Sequence, residues 1–136
     1  MEKEIFWAGG FLYNPETKSI LLHKRDSNTK FNPDKWAFFG GKGEAGENSK
    51  EAFVREMKEE LGIEISMDRL IPLCDYLNEE FDTWRYVFYV ESDLQKSQMK
   101  LGEGAGFDWV PLEKIFEYDL TEKTERDIKT FLALRN

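Results

Sequence analysis

Residues 48–62, NSKEAFVREMKEELG, admit one regular structure. Phe53, Met57 and Leu61 recur at i, i+4 and i+8, the period of one helix face, and Asn48 followed three residues later by Glu51 fits a capping box. Gly62 supplies the stop. The rest of the chain must be arranged around this helix. Before it, EIFWAGGFLY (4–13) and SILLHK (19–24) are apolar, β-rich runs joined by NPETK, so a hairpin opens the chain, and WAFFGGKGEAGE (36–47) then breaks into glycines. After it, LIPLCDYL (70–77), TWRYVFYV (83–90) and the shorter GFDWV (106–110) read as strands. LTEKTERDIKTFLALR (120–135) reads as a closing helix with Ile128, Phe131 and Leu132 inward. No repeat, low-complexity tract or linker interrupts the 136 residues, so one α+β or α/β domain over 1–136, with strands on both sides of the central helix, accounts for the pattern.

The same helix poses an electrostatic problem. Glu56, Glu59 and Glu60 stand at spacings that crowd three carboxylates onto one side of it, and the Glu56–Glu60 pair at i, i+4 costs roughly 0.2–0.5 kcal/mol when exposed. A Glu-rich helix is ordinarily a solvated face. Glu60, however, falls beside the Phe53–Met57 stripe and is expected to point toward the protein body, where clustered carboxylates need a counter-charge. No Lys/Arg cluster occupies matching helix positions; Arg55 is at i+4 from Glu51 and is its natural partner. Oxygen-only ligands without His or Cys suit a hard divalent ion, Mg2+ or Mn2+. On this reading Glu56→Gln relieves repulsion and stabilises the metal-free protein.

Composition excludes other chemistries. One Cys and one His are too few for a Cys/His zinc site or an internal disulfide, and His23 alone makes a histidine-based triad a poor fit. Nineteen Lys and Arg against 27 Asp and Glu give a net charge of −8, which repels nucleic-acid polymers. With no long apolar run and no basic, apolar N-terminus, the chain is expected to be cytoplasmic and away from membranes.

Gly41, five residues, Glu47, seven residues, then Arg55-Glu56-Met57-Lys58-Glu59-Glu60-Leu61-Gly62-Ile63 resembles the Nudix box at every fixed position. The match covers 23 residues in a strand–loop–helix context. The resemblance implies the Nudix fold, an α/β/α sandwich around a mixed β-sheet. It also implies hydrolysis of a nucleoside diphosphate linked to another group, X. Glu56 and Glu60, one turn apart, would grip one metal, and Glu59 a second metal or a bound water. By resemblance, Glu56 also serves as general base and the Gly41 carbonyl completes the metal shell. Arg55 and Glu47 orient the glutamates. Glu103, in the Gly-rich turn LGEGAGFDW, is either one more carboxylate ligand or a solvated loop residue.

Arg25, at the end of the second strand, and Lys42, inside the glycine loop, are the best basic candidates for phosphate contact. Trp36, Phe38 and Phe39 either stack a base or belong to the core. Gly43 and Gly46 are either loop glycines held near the ligand or ordinary turn glycines. GGKGEAGE resembles the nucleoside triphosphate pyrophosphohydrolase branch, including the one that removes oxidised guanine nucleotides, whereas FFGG departs from the Phe-Pro-Gly-Gly usual there. The expected reaction is therefore conversion of a nucleoside triphosphate, oxidised or not, to monophosphate and diphosphate by a monomer or homodimer. Nucleotide-sugar or ADP-ribose hydrolysis, a non-catalytic nucleotide sensor, and an acidic protein-binding face are the alternatives.

Overall fold

A computed structural model of the chain describes residues 3–102 and 104–135, so Glu103 lies outside the described residues. In chain order the elements are β1 (Phe6–Asn14), β2 (Ser19–Lys24), β3 (Trp36–Ala37), β4 (Phe39–Lys42), α1 (Ser49–Leu61), β5 (Ile71–Asn78), β6 (Thr83–Glu91), β7 (Gly106–Pro111) and α2 (Glu122–Arg135). Short 3₁₀ turns at Met67–Arg69, Lys96–Gln98 and Leu112–Glu117 fall where the sequence carries no periodic signal.

Among the described residues the strands form one mixed sheet with α1 on one face and α2 on the other. Alternation along the strands builds the two layers. From β1, Phe6, Ala8 and Leu12 join Leu21 and Phe39 beneath Ala52, Phe53, Met57 and Leu61 of α1. The intervening Phe11 and Tyr13 join Ile20, Leu22 and Val87 beneath Ile128 and Phe131 of α2. Phe53, Met57 and Leu61 are each fully buried. The expected α/β/α sandwich is therefore the observed fold.

The opening hairpin is splayed. Near the turn β1 pairs with β2 through Tyr13–Ile20 and Asn14–Ser19. Beyond those pairs the strands part, and residues 36–42 fill the gap: β3 pairs with the far end of β2, and β4 pairs with the start of β1, from Trp7–Lys42 to Gly10–Phe39. The segment read as a break into glycines is thus largely strand. The outer edge of β1 runs parallel to β6 from Phe6–Trp84 to Tyr13–Glu91, β5 pairs antiparallel with β6, and β7 covers the outer edge of β2.

Both ends of α1 follow the sequence. Asn48 Oδ1 accepts from the Glu51 amide and Glu51 Oε1 from the Asn48 amide, each at 2.9 Å. Gly62 closes the helix at φ 67°, a left-handed conformation that glycine adopts without a Cβ penalty. Among the described residues no helix is long and apolar enough to cross a membrane.

Candidate active site

The strand–loop–helix run from β4 into α1 brings four carboxylates onto one guanidinium. Arg55 Nε donates to Glu47 Oε2 at 2.7 Å and Nη2 to Glu47 Oε1 at 3.0 Å, a bidentate fork. Nη1 donates to Glu56 Oε1 at 2.9 Å and Glu59 Oε2 at 3.2 Å, and Nη2 also reaches the Lys42 carbonyl at 3.1 Å. Glu44 Oε1 lies 3.4 Å from Nε. The hydrogen bond from Arg55 holds the Glu47 carboxyl below its ordinary range, and the same contact raises the guanidinium, which stays charged at any working pH.

This hub corrects two expectations. The i, i+4 spacing predicts a Glu51–Arg55 pair, but Glu51 turns back to cap the helix and Arg55 leans toward the loop instead. The counter-charge that the helix was expected to lack is therefore Arg55 itself. Glu60 does point inward, at 7% exposed, as its place beside the apolar stripe implies, whereas Glu59 is largely exposed.

Gly41 is where the loop approaches the helix most closely. A Cβ built there would collide with the Glu56 carboxylate, so only glycine lets the β4 backbone lie against it. Gly43 backs onto the Phe6 ring in the same way, whereas Gly46, at φ 84°, has open space around it and is an ordinary turn glycine.

A cleft of about 720 Å³ opens beside this cluster and runs from Glu60 past the splayed strands to the start of α2. Arg25 and Lys42 both line it, as does Phe38 despite being only 3% exposed. Phe39 does not: it is fully buried, with His23 stacked on it at 4.8 Å, and offers no surface to a base. Trp36 packs edge-on against Tyr118 at 5.3 Å and lies outside the cleft lining. His23 lines the cleft as a neutral ring, because burial and then the charge of Arg25 push its pKa down to about 4.

Among the cleft residues that the sequence does not single out are Trp7 and Arg85. Both sit in runs that read simply as strand, and only the β1–β6 register sets them side by side. Arg85 Nε donates to Asp127 Oδ2 at 2.9 Å, and Tyr76 donates to Asp127 Oδ1 at 2.7 Å. Asp127 is completely buried, in a helix run whose charged letters suggest solvent.

The donors available to a metal are all oxygens, and the Gly41 backbone meets the Glu56 carboxylate in the space that a side chain at residue 41 would fill. The residues thus fit a hard divalent ion. With Glu56 and Glu59 drawn to Arg55, no three acidic, imidazole or thiol groups among the described residues are already gathered as a metal site.

A model of the NUDIX domain matches residues 7–134. Nucleoside triphosphatase NudI of Escherichia coli O139:H28 is 29% identical over 121 residues, covering 82% of this chain and 86% of the relative. A solved MutT structure, from work on the Aliivibrio salmonicida and Vibrio cholerae proteins, is 26% identical with a TM-score of 0.73, covering 97% of this chain and 99% of that one. The NUDIX domain of Shewanella oneidensis NrtR, complexed with ADP ribose, has a TM-score of 0.75 at 16% identity, covering 100% of this chain and 91% of that one; it shares the fold.

Proposed function

This chain belongs to the NUDIX domain family of pyrophosphohydrolases, and from that premise we propose that it converts a nucleoside triphosphate, oxidised or not, to monophosphate and diphosphate. The observation that carries the proposal is the Arg55 hub, which presents Glu56 against the Gly41 backbone beside a cleft bearing Arg25 and Lys42. The relative at 29% identity is a nucleoside triphosphatase, which supports the same substrate class.

Glu56, Glu59, Glu60 and the Gly41 carbonyl would hold Mg2+ or Mn2+, with Glu103 as a further donor. The bound cation supplies charge neutralisation of the phosphates and lowers the pKa of a coordinated water. Arg25 and Lys42 draw the phosphate chain into the cleft. Glu56 takes the proton from water as its oxygen bonds to phosphorus, the anhydride P–O bond breaks, and diphosphate leaves with the bonding electrons. Arg55 aims Glu56 through the Nη1 hydrogen bond, and Glu47 fixes Arg55 from behind. A small nucleotide, acted on in the cytoplasm by a monomer or homodimer, fits a chain whose net charge of −8 opposes polymeric nucleic acid.

The test is a Mg2+- and Mn2+-supplemented panel of nucleoside triphosphates, 8-oxo-dGTP, nucleotide sugars and ADP-ribose, with monophosphate and diphosphate measured. Turnover of a triphosphate to those two products is expected. Turnover confined to sugars or ADP-ribose would replace the substrate assignment, and no turnover on any of them would defeat the hydrolytic one.

A further inference from the structure

Arg85 is built into the cleft in a way that the hydrolytic machinery does not use. Lys42, Trp7, Arg85 and Tyr76 form one row across β4, β1, β6 and β5, each in register with the next. The Trp7 indole lies down over Gly9 and Gly40; a Cβ on Gly40 would come within 2.7 Å of Cζ2, and one on Gly9 would collide with the ring outright. The Arg85 guanidinium stacks 4.1 Å above that indole. Arg85 is 8% exposed, its Nε is taken by the fully buried Asp127, and the other oxygen of Asp127 is held by Tyr76. The side chain is thus fixed by stacking from below and by a carboxylate from behind. Its two Nη groups meet no acceptor among the described residues, and Arg85 lines the cleft.

A rigid fork of N–H donors left open to the cleft is placed to meet an acceptor on the ligand. Asp127 already balances the charge of Arg85, which favours a neutral acceptor edge over another anion. Phosphate falls to Arg25 and Lys42, which form no ion pair among the described residues. The strand of Arg85 is two away from that of Lys42, roughly 10 Å across the sheet. With phosphates at the Lys42 end, the base of a nucleotide arrives at Arg85.

We propose that Arg85 determines base specificity by donating both Nη groups to the O6 and N7 acceptors of a 6-oxopurine, guanine or hypoxanthine. Adenine sets an amino donor against the fork where guanine has O6, so it is rejected. Oxidation at C8 places a hydrogen on N7 and removes the second acceptor, so the intact base is preferred over the oxidised one. The inference rests on the nucleotide reading of the cleft.

Equilibrium binding of GMP, IMP, AMP and 8-oxo-GMP, measured by calorimetry in Mg2+ buffer, tests it without requiring turnover. GMP and IMP are expected to bind about equally, and about tenfold to a hundredfold more tightly than AMP or 8-oxo-GMP. Arg85→Lys keeps a charge opposite Asp127 but loses the fork, and should bring the GMP-to-AMP ratio close to one. Arg85→Met combined with Asp127→Asn, which removes both buried charges together and leaves no hydrogen-bonding group at residue 85, should do the same if the lysine variant melts early. Equal binding of GMP and AMP by the wild type, or a ratio that survives in the folded variant, overturns the assignment. Selective GMP binding with no hydrolysis of any triphosphate would sink the enzymatic reading and leave this one standing, whereas turnover with unselective binding would do the reverse.

Discussion

Arg55 holds Glu47 through both carboxylate oxygens, at 2.7 and 3.0 Å, across eight residues that include the whole turn into α1. The fork ties the glycine loop to the helix, and Glu47 Oε1 also accepts the Glu44 amide at 2.8 Å, so the loop is braced from within. Because Arg55 keeps the Glu47 carboxyl below its ordinary range, the stability that this contact contributes is complete above the unfolded pKa. It is lost as the pH falls through the lower, folded value. Urea unfolding from pH 6 to pH 3 should show Glu47→Gln less stable than wild type at the upper end, with the gap narrowing below about pH 4. A gap that stays constant through that range would mean that the ion pair contributes nothing.

Gly41→Ala should separate activity from stability. The new Cβ meets only the far end of the Glu56 side chain, which can swing aside, so the melting temperature should change by no more than a few degrees. A displacement of about 1 Å at a reacting group is nevertheless worth roughly 10²-fold in rate. Measured kcat should fall on that scale, and an alanine variant with wild-type kcat would show that the close approach is incidental.

If Glu56 is the base proposed above, Glu56→Gln should lower turnover by about 10²-fold or more. Its stability should also fall, by about 1 kcal/mol in EDTA, because a charge-assisted bond from Arg55 Nη1 becomes a neutral one. Repulsion from Glu60 alone predicts the opposite sign, and the guanidinium bound to Glu56 and Glu59 is the reason for the reversal. Thermal unfolding in EDTA decides the sign, and repetition in Mg2+ should show a smaller stabilisation by the ion than in wild type.

Cys74 is half-buried, and burial together with the Asp127 charge pushes its thiol up to about 12. At pH 8 it carries about a thousandfold less thiolate than an ordinary cysteine. Iodoacetamide should therefore label it slowly in buffer and rapidly in urea, as followed by mass spectrometry.

What the sequence made legible was local. The capping box, the Phe53–Met57–Leu61 stripe and the Gly62 stop concern neighbours within a few residues, and all are present where expected. The inward turn of Glu60 followed from the same helical period. Pairings over longer distances were not legible. Nothing in WAFFGGK states that it will fill a gap between two strands that separate, and Asp127 reads as a surface residue until β6 brings Arg85 to it from 42 residues away. For Arg55 the sequence offers two partners, Glu51 at i, i+4 and the glutamates that Arg55 and Glu47 were expected to orient, and the choice turns on the helix cap, which claims Glu51.

The parallel pairing of β1 with β6 sets the order in which the molecule can come into being. Trp7 must wait for Arg85, and Tyr13 for Glu91, so the middle of the sheet closes only after β6 has been synthesised. Until then the Nudix helix has β1 and β4 to pack against but lacks Phe88 and Val90 of β6 in its core layer. A nascent chain can therefore hold the acidic helix early, yet the cleft beside it is assembled late, once β6 is in place. Mutations that slow the closure of β6 should leave aggregation-prone, catalytically silent intermediates, even where the finished enzyme tolerates them.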